Sequence, residues 1–183
     1  VLDQDYEMME QQTPHLLLKH EYLTDSAGAG CWRGGLGVET ELLLGGEGMN
    51  VVTFGDGDVE PAFGLFGGKS GSLNRIELRF PDGGTHRPLS KELVEGVPAG
   101  TIWWQQAGGG GGYGDPLERP VEKVARDVRN GVVSVAKARE DYGVVLDAAG
   151  RVDQAATAQL RGTRERPGHP QLTPGPGNGG VRA

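Results

Sequence analysis

The sequence predicts an α+β chain with a mainly antiparallel β region over residues 15–117, a short helical segment over 118–160 and a disordered tail over 161–183. Residues 1–14 read as an N-terminal extension or truncated start. Three observations carry this. Apolar side chains recur at every second position in several short runs cut by Gly pairs. One later stretch has the i, i+3, i+4, i+7 stripe of an amphipathic helix. The last 23 residues hold six Gly and four Pro, with Leu172 and Val181 as the only large apolar side chains, too little burial to offset their ordering entropy.

The elements follow in order. Residues 15–22 (HLLLKHEY) read as a strand. Residues 37–44 (GVETELLL) set Val38, Thr40, Leu42 and Leu44 against Glu39, Glu41 and Leu43, which is period two. Residues 50–54 are a short apolar run. Residues 74–80 alternate Ile76, Leu78 and Phe80 with Arg75, Glu77 and Arg79, the pattern of a half-buried strand. Pro81-Asp82-Gly83-Gly84 closes it: Pro presets φ, Asp bonds its own backbone, and Gly accepts positive φ. Residues 101–106 (TIWWQQ) are rich in β formers. Neighbouring Trp103 and Trp104 must point to opposite faces, and the outward indole is expected to mark an interface. Short strands at this spacing imply an antiparallel sandwich or sheet layer.

The helical segment begins at 118–130, where Val121, Val124, Ala125 and Val128 form the stripe. Pro120 suits a first turn and Asn130-Gly131 a C-terminal stop. Ser134 is placed to cap a second helix over 135–142, ended by Gly143. Residues 144–146 read as one more short strand and 151–160 as a final weak helix.

Composition excludes several classes. Of 183 residues, 33 are Gly and 11 Pro, yet no Gly-x-y period runs through the chain, so it is not collagen-like. No stretch approaches the ~20 apolar residues of a membrane-spanning helix. Four His and one Cys exclude a zinc ribbon and an intrachain disulfide, and lone Cys31 fits a reducing, cytoplasmic compartment. The net charge of −7 is concentrated in residues 1–110, with 16 acids against 7 bases, so no nucleic-acid partner is expected. The chain opens on Val1 rather than Met, which reads as a processed or partial chain.

Three segments are candidates for chemistry. Residues 108–112 are five glycines, followed by Tyr113-Gly114-Asp115-Pro116. Their bare N–H groups can cradle an anion near a helix start. The competing reading is a tight crossing where only Gly fits, with Gly110 and Gly112 inside it, Tyr113 beside it and Asp115 capping the turn before Pro116. No Lys-Ser/Thr follows and no βαβ unit surrounds the run, so it is neither a Walker loop nor a dinucleotide fingerprint. In residues 25–37, Asp25 and Arg33 either hold a polar substrate or anchor a long loop between strands. Asp56 and Asp58 present two carboxylates to a hard cation. The twelfth position of such a calcium loop is Gly67 rather than Glu, so an ordinary solvated turn competes. His15 and His20 fall on opposite faces of one strand, and Cys31 has no base near it in sequence. No residue is assigned a catalytic role from these patterns.

Residues 25–37 (DSAGAGCWRGGLG), 63–68 (FGLFGG), 109–117 (GGGGYGDPL) and 139–146 (REDYGVVL) stand in an order that resembles the C-terminal part of the hydantoinase B/oxoprolinase family. That family includes N-methylhydantoinase B subunits, 5-oxoprolinases and the large subunits of acetone and acetophenone carboxylases. The likeness spans about residues 10–160, with Ala27 standing where Gly is usual. It implies an ATP-dependent cyclic amide hydrolase, or alternatively a ketone carboxylase subunit or a non-catalytic assembly subunit. It further implies a hydantoinase A-like, actin-like ATPase partner in a hetero-oligomer, in which ATP phosphorylates the substrate oxygen. ATP and a divalent metal are then expected in the complete enzyme, with the metal ligands mainly in an N-terminal part that this chain lacks. The chain alone is expected to be inactive.

Overall fold

The computed structural model describes residues 5–164; the predicted disorder of 165–183 lies outside them. In chain order the elements are helix α1 (Tyr6–Gln12), strands β1 (Leu16–Tyr22), β2 (Val38–Leu44), β3 (Met49–Phe54), β4 (Arg75–Arg79), β5 (Thr85–His86), β6 (Lys91–Val97) and β7 (Thr101–Ala107), a 3-10 turn (Pro116–Glu118), and helices α2 (Val121–Arg129), α3 (Val135–Glu140) and α4 (Gln154–Gly162). Five strands form one sheet in the order β1-β2-β7-β4-β5, and β3 pairs with β6 in a second; every pairing is antiparallel. None of the described helices is long and apolar enough to cross a membrane.

The register explains the period-two patterns. Leu42 lies opposite Trp103, which lies opposite Leu78, so these three share one face of the large sheet. That face packs with Leu44, Val51 and Val97, where Leu78 and Val97 lose essentially all solvent contact. Glu41, Trp104 and Glu77 form the matching row on the other face. There the Trp104 indole N–H donates to Glu39 Oε1 at 2.7 Å, and the Arg79 guanidinium sits 5.2 Å from the ring centre. The two indoles do diverge, but Trp104 is half-buried beneath a charged network rather than bare. The exposed tryptophan is Trp32.

A second core of Ala29, Val124, Val133, Ala138, Tyr142 and Val144 gathers the helical segment against the 25–37 loop. Its helices carry the expected signals at Ser134, Gly131 and Gly143, and one cap the sequence did not suggest, Asp153, which starts α4 at Gln154 rather than 151. Asp153 Oδ1 accepts from the Ala156 amide, Ser134 Oγ accepts from the Lys137 amide, and Gly131 and Gly143 take positive φ after α2 and α3. α3 ends at Glu140, two residues before the sequence suggested, because Tyr142 turns into the core. Residues 144–146 contribute only a single bridge, Leu146 to Val152. α4 runs to Gly162; Arg161 donates to the carbonyls of Tyr142 and Arg119, and Arg164 to those of Arg139 and Glu140. Residues 161–164 therefore belong to the folded body, which corrects the predicted start of the tail.

Candidate functional site

The glycine run leads from β7 of the large sheet toward the helical segment. Residues 108–112 thread between segment 26–37 on one side and 62–72 on the other, backbone against backbone. A Cβ on Gly111 would lie 1.9 Å from the Phe63 carbonyl oxygen, and one on Gly112 would lie 2.1 Å from that of Ala29. From the facing loop, a Cβ on Gly34 would lie 2.0 Å from the Gly110 oxygen. Gly110 is looser, its nearest hypothetical contact being Gly35 N at 3.2 Å. None of these five glycines has positive φ, so crowding rather than backbone conformation requires them.

Four of the thread's five amides and two of its carbonyls are bonded to its neighbours. The amide of Gly108 donates to Asn74 Oδ1, Gly109 to Ser72 Oγ (3.0 Å), Gly110 to the Gly35 carbonyl (2.9 Å) and Gly112 to the Lys69 carbonyl (2.9 Å). The carbonyl of Gly110 accepts from Gly28 N (2.8 Å) and that of Gly112 from Leu65 N (2.9 Å). A buried backbone group is costly to leave unpaired, and these four amides are not available to an anion. The arrangement is a cross-linked layer rather than a phosphate cradle.

The remaining candidates divide in two. Tyr113 continues the thread, exchanging two backbone bonds with Trp32 (3.0 and 2.9 Å), and Leu65 bridges it from the other side. Asp115 is buried and its Oδ1 accepts from the Leu117 amide at 2.8 Å, capping the 3-10 turn. Asp25 takes φ of 61° and accepts from the Ser134 amide at 2.7 Å, tying the loop to the start of α3. Arg33 donates from Nε to Asp127 Oδ2 (3.4 Å) and from one terminal nitrogen to its neighbour's carbonyl, Gly34 O. These residues gather at the glycine layer. Asp56 and Asp58 sit apart on an exposed turn, where Asp56 pairs with Lys91 at 3.1 Å. Among the described residues, no group of three or more His, Cys, Asp or Glu side chains is close enough to hold a metal ion.

The i, i+4 spacing reads Asp127 as an ordinary surface partner of Lys123, but Asp127 is buried and forms with Arg119, which the sequence did not single out, the most deeply buried ion pair described (2.8 Å). Asp127 Oδ2 serves both Arg119 and Arg33, and Arg119 also donates to the Cys31 carbonyl at 3.1 Å. The pair thus links α2 to the loop that flanks the thread. One signal was present: Asp127 interrupts the apolar side of α2 between Val124 and Val128. Beside it, burial pushes the Tyr142 hydroxyl up to about 12, partly opposed by the positive charges of Arg119 and Arg33. On the large sheet, a hydrogen bond from Lys19, seconded by the Trp104 indole, holds the Glu39 carboxyl below its ordinary value.

Comparison with known proteins places this layer in context. The family model described as hydantoinase B/oxoprolinase matches residues 1–116. The chain is 40% identical over 157 residues to caprolactamase subunit beta of Pseudomonas jessenii, covering 84% of this chain and 27% of that protein. The crystal structure of the ATP-dependent caprolactamase from Pseudomonas jessenii superposes with TM-score 0.64 at 36% identity, over 86% of this chain and 28% of that one. A nucleotide-free acetone carboxylase structure superposes with TM-score 0.73 at 26% identity, over 87% of this chain and 26% of that one. The fold is thus shared with a segment of an ATP-dependent caprolactamase and of an acetone carboxylase. The chain belongs to the hydantoinase B/oxoprolinase family. It spans about a quarter of the length of the relatives it matches.

Proposed function

We propose that this chain is the C-terminal portion of a hydantoinase B-type subunit that opens cyclic amides at the expense of ATP, within a cytoplasmic hetero-oligomer that includes an actin-like, hydantoinase A-type ATPase. One observation carries the choice of reaction: over the superposed structures, identity is 36% to the caprolactamase chain and 26% to the acetone carboxylase chain. Backbone superposition ranks the two the other way, 0.64 against 0.73. Sequence identity is the better guide here. The backbone likeness reports the shared scaffold, including the glycine layer, whereas identity over the whole segment tracks which branch of the family the chain belongs to. The superposition keeps a ketone carboxylase subunit as the second reading, and a non-catalytic assembly subunit as the third.

Within this reading the chain is scaffold. Gly110 and Gly112 let three segments pack without side chains, while Tyr113 and Asp115 carry the thread into the helical segment. Asp25 and Arg33 hold that packing through Ser134 and Asp127 rather than reaching for substrate. Two observations support placing nucleotide and metal elsewhere: four of the thread's five amides are engaged, and among the described residues no three potential ligands converge. ATP and the divalent metal belong on this reading to the rest of the assembly. The test is a substrate panel with the complete subunit carrying this segment and its ATPase partner. ATP-dependent opening of lactams or hydantoins is expected. Bicarbonate-dependent carboxylation of acetone without ring opening would overturn it.

A further inference from the structure

Beyond the thread, the glycine layer displays a row of large apolar side chains that the described residues leave exposed. Trp32, Tyr113 and Leu65 are neighbours on three adjacent backbones: Trp32 pairs antiparallel with Tyr113, and Leu65 pairs parallel with it. Directly paired residues share one face of a ladder. All three are exposed, Trp32 by 63%, and Phe63, two residues from Leu65, by 75%. Phe66 meets the Tyr113 ring edge-on at 5.1 Å, and the Lys123 ammonium stands 5.1 Å from the Trp32 ring centre. Contiguous aromatic surface of this kind marks an interface rather than an ordinary exterior.

Two features single this face out. Its backbones are held by the engaged amides of the glycine layer, so the aromatic groups are presented with little backbone freedom to lose on docking. The layer itself contributes no side chains to a core, so a second body laid on the row would bury the apolar surface that the glycines cannot. The relatives supply the size of such a body. In each of them the region matching this chain is only 26–28% of the polypeptide.

We infer that the Trp32–Tyr113–Leu65 row, with Phe63, is the surface on which the remaining three-quarters of a hydantoinase B-type subunit docks, whether joined to this chain or supplied as a separate polypeptide. The inference rests on family membership alone and is independent of which reaction the assembly performs.

The experiment places a photoreactive p-benzoyl-phenylalanine at Trp32, and in a second variant at Phe63, within the assembled enzyme. Cross-linked peptides are then identified by mass spectrometry. Cross-links into the remainder of the same subunit are expected from both positions. Cross-links only to the ATPase subunit, only to a second copy of this chain, or to nothing would each overturn the inference. A companion variant, W32E together with F63E, should weaken association with the remainder at least tenfold while the circular dichroism and melting temperature of this chain stay unchanged. Unaltered association would also overturn it.

Discussion

At the scale of single residues, Gly112 and Gly110 separate two explanations of the glycine run. If the run were a flexible spacer, alanine would be tolerated at both positions. The structure instead puts a Gly112 Cβ 2.1 Å from a backbone oxygen and a Gly110 Cβ no closer than 3.2 Å to its neighbour. Gly112→Ala is expected to cost about 3 kcal/mol or more, because backbone on both sides must shift. Gly110→Ala is expected to cost roughly 1 kcal/mol. Urea unfolding of the two variants checks the order, and equal stabilities would return the run to a spacer. Tyr142 makes a second residue-scale prediction. Its folded value of about 12 lies above the unfolded value of about 10, since burial disfavours the phenolate. The folded state therefore binds this proton more tightly. The associated stability is complete below pH 10 and is lost as pH rises through 10 to 12. An alkaline absorbance titration should show one of the four tyrosines ionising late, and Tyr142→Phe should remove that late step.

Elements depend on these residues through a few buried polar ties. Asp127 holds α2 to the flanking loop by accepting from both Arg119 and Arg33. Removing it leaves two guanidinium groups without their carboxylate, one of them buried. Asp127→Ala is thus expected to cost about 3–5 kcal/mol. Asp115→Ala removes only a cap on the 3-10 turn and is expected to cost about 1 kcal/mol. Denaturant midpoints of the two variants decide, and similar losses would mean that the ion pair does not bind the elements together. The same scale shows what the sequence could disclose. β2 and β4 were readable because they keep strict alternation over one buried face. β6 was not: its register with β3 slips between Val94 and Val97, with Gly96 at φ of 69°, and the bulge breaks the alternation. α1 escaped because seven residues with none buried show no stripe. Arg119 and Asp127 are eight positions apart, and only the turn at Pro120 brings them together, so local pattern gave little notice of the pair.

At the scale of the whole molecule, one core lies within the sheets and the other within the helical segment, and no residue belongs to both. The glycine run leads from the large sheet toward the helical segment, in a layer made of hydrogen bonds and close backbone contact. Such a layer is well suited to hold position and poorly suited to do chemistry. The thread's five glycines carry no side chains, and four of their amides already have partners. The candidate residues of the sequence reading that collect around it, Asp25, Arg33 and Asp115, are each engaged in holding an element in place. The last prediction follows from this division of labour. The purified 183-residue chain should hydrolyse neither ATP nor a lactam, and should carboxylate no ketone, at any rate above a buffer blank. Combined with the remainder of a hydantoinase B-type subunit and its ATPase, it should support turnover. Gly112→Ala should then lower that turnover in parallel with the amount of assembled complex, leaving the rate per assembled complex unchanged. Phosphate release and product formation, measured against complex quantified by size-exclusion chromatography, test both parts. ATP or lactam turnover by the isolated chain would show that it carries a site of its own. A fall in rate per assembled complex would place the thread next to the reacting centre rather than at a joint.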